Sequence, residues 1–239
     1  MATFTNFTNR LPDPNWGINE AGDGHATNFV EGPGFASVKF TSQQPVSFSR
    51  TNSGRVTTRA IVGQHWKINI TYNPMTRDEF EPIYNFLLEK RGRLKPFYVV
   101  LPQYASPRTT TSGTLSVQGS ITSGDSNFLI DGLSAANGGV RPGDMFTFSD
   151  SGNSNHDKVY QIVRVATASD KLATDDTLNT SDERRLYVVP PVEKDVTDNS
   201  TITYTNPMFR VVLNGDVQEY SLGTNNLYTF SLNLEEAQA

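Results

Sequence analysis

The sequence predicts a mainly β protein that carries one well-marked α-helix, between about residues 76 and 91. Charged residues make up only 19% of the 239, while Thr, Ser and Asn are abundant. That composition suits strands and turns better than helical bundles, whose surfaces are rich in Glu, Lys and Arg. Apolar and polar residues alternate along several short segments, and one segment has the period of a helix instead. These observations define the fold class.

Composition and charge exclude several classes of protein. The net charge of -5 disfavours a protein that grips nucleic acid through its phosphates. The absence of cysteine excludes disulfides and thiolate catalysis. No apolar run approaches the roughly 18 residues of a membrane span, and the N-terminus lacks a signal peptide. We therefore expect a protein that is made and assembled in the cytoplasm, with no membrane partner.

Residues 1–35 are predicted to form an extended N-terminal arm, because proline and glycine interrupt them repeatedly. Disordered arms are usually poor in aromatic residues. This arm contains Phe4, Phe7, Trp16 and Phe29. We expect it to dock on another surface.

From Ala36 the apolar residues recur with the period of two that is typical of strands. Short strands are predicted at Val38–Phe40, Val46–Phe48 and Val56–Ile61. The clearest strand is His65–Tyr72, in which every second residue is large and apolar. Trp66 is in phase with that apolar face, so it is predicted to be a core residue.

The predicted helix has a strong start signal. Thr76 with Glu79 three residues later forms a capping box. An apolar stripe with helical spacing follows, at Phe80, Ile83, Tyr84 and Leu87. Gly92 lies where a left-handed cap is expected. Pro82 predicts an irregular first turn or a slight kink, because it removes one backbone hydrogen bond.

After the helix, Leu94–Leu101 is predicted to be a buried strand. The composition changes at Ser106–Pro107, and short strand patterns separated by Gly, Asn, Asp and Ser follow, as in a small antiparallel barrel. These patterns are Leu115–Val117, Phe128–Ile130, Met145–Phe148, Lys158–Val165, Leu186–Val189 and Thr201–Tyr204. Residues 166–184 are predicted to be a surface loop.

The last segment again shows the strand patterns of the segment that precedes residue 106. Met208–Leu213 reads as a strand, and residues 228–234 alternate between apolar and polar. Asn214–Gly215 is a hairpin signal, although residues 216–223 could lengthen the turn. A terminal strand of this quality needs a sheet to join. We therefore predict one domain formed by residues 36–106 and 206–239, with residues 107–205 inserted into it as a second domain.

No residue pattern predicts a catalytic, metal or cofactor site. The histidines at 25, 65 and 156 are scattered, and no nucleotide-binding or nucleophile motif occurs. The loop Asp150–Asp157 resembles an oxygen-rich calcium loop but lacks the spacing of one, so a hairpin loop is the simpler interpretation. Asp144 is expected to bond local backbone amides in a turn rather than to act in catalysis.

Candidate interface residues come from the arm and from the end of the helix. Lys90, Arg91, Arg93 and Lys95 form a basic cluster. It could complement the negative helix end or meet an acidic neighbour in an assembly. Trp16 and Phe29 are the arm's candidates for contact with a partner.

Several stretches of this chain resemble the bacteriophage distal tail proteins and related tail-hub adaptors. The resemblance is carried by residues 63–70, 73–76, 86–93 and 96–97, and continues at 140–148, 158–161, 209–213 and 227–235. It extends discontinuously over residues 36–235, and its strength lies in the order strand, helix, strand, β insertion, returning strand. The resemblance implies a split β-barrel with one packed helix.

The family further implies a homo-oligomeric ring in the virion, at a tail tip or baseplate, as a hexamer or a trimer. Its expected partners are the tail tube protein and the hub, fibre or wedge proteins, with no cofactor. The insertion departs from the galectin-like domain of many distal tail proteins, and its length fits an OB-like barrel better. The arm is also longer than the family suggests.

Two other functions compete with a structural role. A carbohydrate-binding module of a receptor-binding protein would use aromatic platforms such as Tyr187 or Tyr204. A tail-associated hydrolase is the second alternative, although no paired carboxylates or nucleophile support it.

Overall fold

The computed structural model describes residues 9–14, 32–61, 63–109, 113–133, 139–166 and 183–237. The chain divides into two compact units. Residues 1–99 and 210–237 belong to the first, and residues 100–209 belong to the second. Each unit is built almost entirely from β-strands.

The first unit contains eight strands and the helix, numbered along the chain together with those of the second unit. Its elements are β1 (Phe35–Gln43), β2 (Val46–Arg50), β3 (Val56–Ala60), β4 (His65–Tyr72), α1 (Arg77–Lys90), β5 (Phe97–Val100), β12 (Met208–Leu213), β13 (Tyr220–Leu222) and β14 (Tyr228–Glu236). The second unit contains β6 (Leu115–Gln118), β7 (Asn127–Asp131), β8 (Met145–Ser149), β9 (Tyr160–Ala166), β10 (Arg184–Val189) and β11 (Thr201–Thr203), with a 3₁₀ turn at Pro102–Tyr104.

A six-stranded sheet forms the first unit, in the order β1-β4-β14-β12-β5, with β13 also paired to β14. Strand β4 has the predicted bounds, and its alternate residues Trp66, Ile68, Ile70 and Tyr72 are all buried. The C-terminal strand β14 pairs with β4, as its alternation required. The sheet curls into a half-barrel, so the predicted mainly β fold with a split barrel and one packed helix is confirmed.

Helix α1 closes one side of this sheet through aromatic packing. The Phe80 ring stacks on Tyr228 with centroids 4.6 Å apart, and it meets Phe230 edge-on at 5.7 Å. Further along the helix, Phe86 meets Phe97 of β5 at 5.4 Å. The helix stripe is therefore part of the core of the first unit.

The helix begins as predicted and ends slightly differently. The Glu79 carboxylate accepts hydrogen bonds from the Thr76 backbone N–H at 2.8 Å and from its hydroxyl at 2.9 Å. At the C-terminal end, Arg91 already has a left-handed φ of 54°, and Gly92 follows with 65°. Two successive left-handed residues reverse the chain, so the cap begins one residue earlier than predicted.

The strand predicted at Leu94–Leu101 is too long at its start. Strand β5 begins only at Phe97, and Leu94 is 67% exposed. The Leu94 N–H donates to the Arg91 carbonyl and the Lys95 N–H to the Lys90 carbonyl, which keeps this stretch in the turn that follows the helix. A local turn has displaced the strand that hydrophobicity predicted.

Part of the N-terminal arm lies on the free edge of β5. The Leu11 N–H donates to the Tyr98 carbonyl at 2.8 Å, and the Tyr98 N–H donates to the Asn9 carbonyl at 2.7 Å. Leu11 is buried, and Arg10 forms an ion pair with Asp13 at 2.6 Å. This segment therefore docks on its own unit and covers that sheet edge.

Strands β2 and β3 form a separate two-stranded hairpin outside the large sheet. The pairing puts Val46, Phe48 and Val56 on one face. All three are exposed, and Phe48 reaches 62%. The predicted strands are present, but they pair only with each other and lie outside the large sheet.

The second unit is a closed antiparallel barrel in the cyclic order β10-β7-β6-β11-β8-β9. All six strands correspond to predicted ones, and their inward residues form one buried cluster that contains Phe128, Phe146 and Tyr160. The barrel has one strand more than the five of an OB-fold. The predicted loop at 166–184 lies outside the described residues except at its ends.

The hairpin turn predicted at Asn214–Gly215 is misplaced. β12 pairs with the C-terminal end of β14, and the chain then bulges outward at residues 214–219. β13 resumes the pairing with the N-terminal end of β14. The reversal occurs at residues 223–227, where Asn226 has a left-handed φ of 58° and the Gly223 N–H bonds to the Leu227 carbonyl.

Candidate assembly surfaces

Two of the six predicted interface residues, Trp16 and Phe29, lie outside the described residues. The other four are brought together at the end of helix α1. Only some of these four side chains are free to meet a partner, because others are used within the first unit.

Lys90 lies inside the fold rather than on its surface. Its side chain is buried, and its ammonium lies 4.5 Å from the centroid of the Phe86 ring. Burial lowers the pKa of Lys90, and the positive charge of Lys95 acts in the same direction, while Glu89 opposes them. The aromatic ring offsets part of the cost of burying the charge.

Arg93 is held by the loop that follows β12. Its guanidinium donates to the backbone carbonyl of Asn214, with a longer contact of 3.4 Å to the side-chain oxygen of the same residue. Arg91 and Lys95 are exposed. The predicted contact of this basic cluster with a neighbouring subunit stays a prediction, and Arg91 and Lys95 are the side chains able to make it.

Sequence reasoning missed a more prominent surface on the β2–β3 hairpin. Its apolar face consists of Val46, Phe48 and Val56, and we call it the hairpin face. The signal that could have found it is charge. Between Glu31 and Asp78 the sequence has no acidic residue, although it has six basic ones. Three of these, Arg50, Arg55 and Arg59, belong to the hairpin or its turn.

A second exposed surface lies where the start of helix α1 meets β13. Tyr220 is half exposed, and its ring contacts Phe80 at 5.0 Å and Tyr84 at 5.3 Å. Leu222, two residues further along β13, is also exposed. The exposed charged residues at the start of α1 and immediately before Tyr220 in the chain are mainly acidic: Asp78, Glu79, Glu81 and Glu219, with Arg77 as the one base among them. We call this set the helix–β13 surface.

The single base of the helix–β13 surface is already neutralised. The Arg77 Nε donates to the Glu81 carboxylate at 2.5 Å, and this hydrogen bond raises the pKa of Arg77. The remaining charge of the surface is therefore negative. Such an exposed ion pair contributes little stability by itself.

The barrel contains a buried pair of polar side chains, His156 and Tyr160. The Tyr160 hydroxyl accepts the Glu193 backbone N–H at 2.9 Å and lies 2.6 Å from the His156 Nε2. The direction of the hydrogen bond between Tyr160 and His156 depends on the tautomer of the imidazole. Burial and the charge of Lys194 lower the pKa of His156 to about 4, which favours the neutral imidazole. His156 itself belongs to the loop Asp150–Asp157 that was predicted to be a hairpin loop.

Two aspartates organise loops of the barrel. Asp144 accepts the backbone N–H groups of Arg108 at 3.0 Å and Arg141 at 2.8 Å, which confirms its predicted role in a turn. Asp150 accepts the Gly152 N–H at 2.8 Å and both the N–H and hydroxyl of Thr197. Burial acts to raise the pKa of Asp150, but these hydrogen bonds outweigh it, so the pKa is lowered.

The two tyrosines considered as sugar platforms are both engaged. The Arg164 guanidinium carbon lies 3.6 Å from the centroid of the Tyr187 ring and covers one face of it. Tyr204 packs against the barrel core, and its hydroxyl donates to the Gly113 carbonyl at 3.1 Å. Each ring therefore already has a partner within the barrel.

The described residues contain no group of three or more His, Asp or Glu side chains placed to hold a metal ion. In the same part of the chain no helix is both long and apolar enough to cross a membrane. The exposed features that remain are surfaces suited to contact with other proteins.

Comparison with known proteins agrees with this fold and with the resemblance noted in the sequence. The family described as distal tail protein pb9, A domain, N-terminal, matches residues 23–104. Distal tail protein pb9 of Escherichia phage T5 is 26% identical over 230 residues, which cover 95% of this chain and 99% of that protein. These matches support the bacteriophage distal tail protein family for this chain, and with it a structural tail protein.

The match with the T5 protein extends over nearly the whole chain, so it includes the barrel as well as the first unit. The family match instead ends at residue 104, close to where the first unit gives way to the second. The family match therefore lies almost entirely within the first unit.

Proposed function

We propose that this protein forms a closed homo-oligomeric ring at the tip or baseplate of the phage tail, joining the tail tube to hub, fibre or wedge proteins. The ring is a hexamer. Its subunits meet through the first unit, and the barrel offers additional surface for other tail components. The role is structural, without catalysis.

The uncovered edge of strand β1 is the observation that supports ring formation. Residues 9–11 cover the opposite edge of the sheet, at β5. The outer side of β1, which is nine residues long, pairs with no other strand in the described residues. Long, open edges invite pairing with another chain, and proteins normally cover or interrupt them. A neighbouring subunit would supply the missing cover.

The separate barrel supports the proposed contact with other tail proteins. Its strands close on themselves and its core is buried, so it needs no neighbour for its own stability. A self-contained barrel is free to present its loops to a different partner. We propose residues 107–205 as this inserted domain, within a first domain of residues 36–106 and 206–239.

The absence of catalysis rests on how the ionisable groups of the described residues are used. His65 pairs with Glu235 at 3.1 Å, and His156 pairs with Tyr160. Asp144 and Asp150 are occupied by backbone N–H groups. None of these groups combines a free acid or base with an open cavity and a neighbouring nucleophile.

Size-exclusion chromatography with light scattering, followed by electron microscopy of the same fraction, tests this proposal. The expected result is a particle of six subunits of 26.4 kDa each, seen as a ring. A label on the protein should appear at the tip of the intact tail. A monomer at high concentration, or a label elsewhere on the virion, would overturn the proposal.

A further inference from the structure

We infer that the hairpin face of one subunit docks on the helix–β13 surface of the next subunit. This inference rests on the proposed function and names the contact that would build the ring. It commits to a second copy of this chain as the partner, because the two surfaces are complementary in character and belong to the same unit.

The hairpin face requires a partner for physical reasons. A two-stranded ribbon is at best marginally stable alone in water. Here β2 and β3 pair only with each other, and the apolar side chains of their shared face are exposed. Burying Phe48 and its apolar neighbours would stabilise both the ribbon and the assembly.

Charge indicates which surface receives the hairpin. Arg50 lies on the hairpin face and Arg55 in the turn, and the ribbon has no acidic residue; Arg59 pairs with Ser47 on the opposite face. The helix–β13 surface carries four acidic residues, and its one base is already bound to Glu81. Opposite charges around an apolar centre steer the two surfaces together and fix their register.

The helix–β13 surface also provides the apolar centre that Phe48 needs. Tyr220 and Leu222 are about half exposed there, and Phe80, Tyr84 and Tyr228 back the tyrosine ring. A phenyl ring that docks on this platform gains aromatic contacts besides the burial of area. Aromatic and Arg side chains of this kind are the usual hot spots of interfaces.

The pairing is head to tail, because the two surfaces are different parts of one subunit. Each copy uses its hairpin on one side and its helix–β13 surface on the other. A heterologous contact of this type closes into a ring when the rotation between subunits permits it. An isologous contact between two hairpins would instead stop at a dimer.

Two variants, mixed together, test this contact. The hairpin variant carries Phe48→Ser with Arg50→Glu, and the platform variant carries Glu219→Lys with Leu222→Ser. Each alone should remain monomeric, since loss of one hot-spot side chain weakens association by roughly 30-fold. Mixed, they retain one intact surface each and should form dimers that contain one copy of each variant. Val163→Ser, at an exposed apolar residue of the barrel outside both surfaces, should still form rings.

The outcomes separate this inference from the proposed function. A wild-type protein that stays monomeric overturns both. Wild-type rings together with rings of either variant overturn the contact alone. Variants that are both monomeric but do not associate when mixed also overturn it.

Cross-linking gives a second readout that does not depend on disruptive substitutions. The chain has no cysteine, so cysteines introduced at Thr58 and Asp78 would be the only ones. In wild-type-like rings, a flexible bismaleimide should join Thr58→Cys of one subunit to Asp78→Cys of the next, giving a ladder up to the ring size. The pair Thr58→Cys with Thr71→Cys should give no ladder, because Thr71 lies on the exposed side of β4, opposite its buried residues. A ladder from the control pair, with none from the test pair, would contradict the docking.

Discussion

The two units of the chain differ in how the edges of their outermost strands are paired. In the barrel each of the six strands has a neighbour on both sides, so the ring of hydrogen bonds is complete within one chain. In the half-barrel the sheet ends at β1 on one side and needs the N-terminal residues to cover β5 on the other. One unit closes all its strand edges within the described residues, and the other leaves the edge of β1 open.

The distribution of exposed apolar side chains follows the same division. In the first unit the exposed ones are Val46, Phe48, Val56, Ile61, Leu88, Leu94, Val217, Tyr220 and Leu222. In the described part of the second unit they are Val163 and Met208. A surface that is rich in exposed apolar side chains marks a site of interaction. The described part of the barrel therefore buries nearly all its large apolar side chains, whereas the first unit exposes several that a neighbouring protein could cover.

The largest change in stability relevant to this comparison should follow the removal of a central side chain of the barrel. Phe146 is fully buried and contacts Phe128, Phe148 and Tyr160 at 5.3–6.0 Å. Phe146→Ala should lower the free energy of unfolding of the barrel by about 3–5 kcal/mol, through lost burial and a cavity. Hydrogen exchange at the amides of β6–β11, read by mass spectrometry in increasing denaturant, measures it.

Trp66 fluorescence reports the first unit in the same samples. If the units are energetically separate, its transition midpoint should not move in the Phe146→Ala variant. Val163→Ala, an exposed position in β9 of the same barrel, should change the free energy of unfolding by less than about 0.5 kcal/mol. A joint loss of both units would show that they unfold as one cooperative body.

The pH dependence of the free energy of unfolding should distinguish the barrel from the first unit. The folded pKa of His156, about 4, lies below the ordinary histidine value, so the unfolded chain binds the proton more readily. The stabilisation is fully present above about pH 6.5 and is lost as the pH falls towards 4. Denaturant titrations of the barrel across this range measure the decline.

His156→Gln removes the titrating group and should flatten the decline in barrel stability over that pH range. His65→Gln is the matched control, since His65 belongs to the first unit and pairs with Glu235 there. It should leave the pH profile of the barrel unchanged. An unaltered profile in His156→Gln would assign the acid sensitivity to the carboxylates of the barrel instead.

Much of the fold was predictable because local patterns and tertiary structure agree. The alternation in His65–Tyr72 matches a strand with one buried face, and its bounds are correct. The capping box at Thr76 fixed the helix start, because it satisfies backbone groups within four residues. The terminal strand predicted a partner in the first sheet, which β4 provides.

The errors arise where the chain reverses or leaves the core. Leu94 is apolar yet exposed, since the turn after Arg91 keeps it out of β5. Asn214–Gly215 has turn chemistry but marks a bulge, and the reversal lies at 223–227. The alternation of β2 and β3 correctly gave strands, but a period of two cannot tell whether the apolar face meets its own core or a partner.

The candidate surfaces were harder to predict than the fold for the same reason. The basic cluster was visible in the sequence, but only the structure shows that Lys90 is buried and Arg93 bonded to Asn214. The helix–β13 surface joins residues more than 130 positions apart along the chain. Local sequence patterns cannot bring such residues together.

A smaller effect is expected from the helix cap. Thr76→Ala removes the hydroxyl that bonds to Glu79 and should destabilise the first unit by about 1 kcal/mol. The Trp66 fluorescence transition measures this shift, and the hydrogen exchange of β6–β11 should not respond. Thr224→Ala, in the exposed turn at residues 223–227, provides a control with the same change of side chain. An equal loss in both variants would mean that the cap adds nothing.

The smallest change in the stability of the isolated subunit should come from a phenylalanine substitution in β2. The sharpest contrast is with the same substitution in β1, the strand that precedes β2 in the chain. Phe40 of β1 stacks on Trp66 with centroids 4.8 Å apart, whereas Phe48 of β2 is 62% exposed. At concentrations where the protein is monomeric, Phe48→Ser should change the free energy of unfolding of the first unit by less than about 0.5 kcal/mol. Phe40→Ser should lower it by about 1–2 kcal/mol, through lost burial and stacking.

At assembly concentrations the order of these two variants should reverse. Phe48→Ser should then prevent ring formation, because the exposed ring contributes to the contact between subunits and not to the fold. Phe40→Ser should still assemble wherever it remains folded, as light scattering below its unfolding midpoint would show. Loss of folding in the dilute Phe48→Ser monomer would instead place that side chain in the core of its own unit.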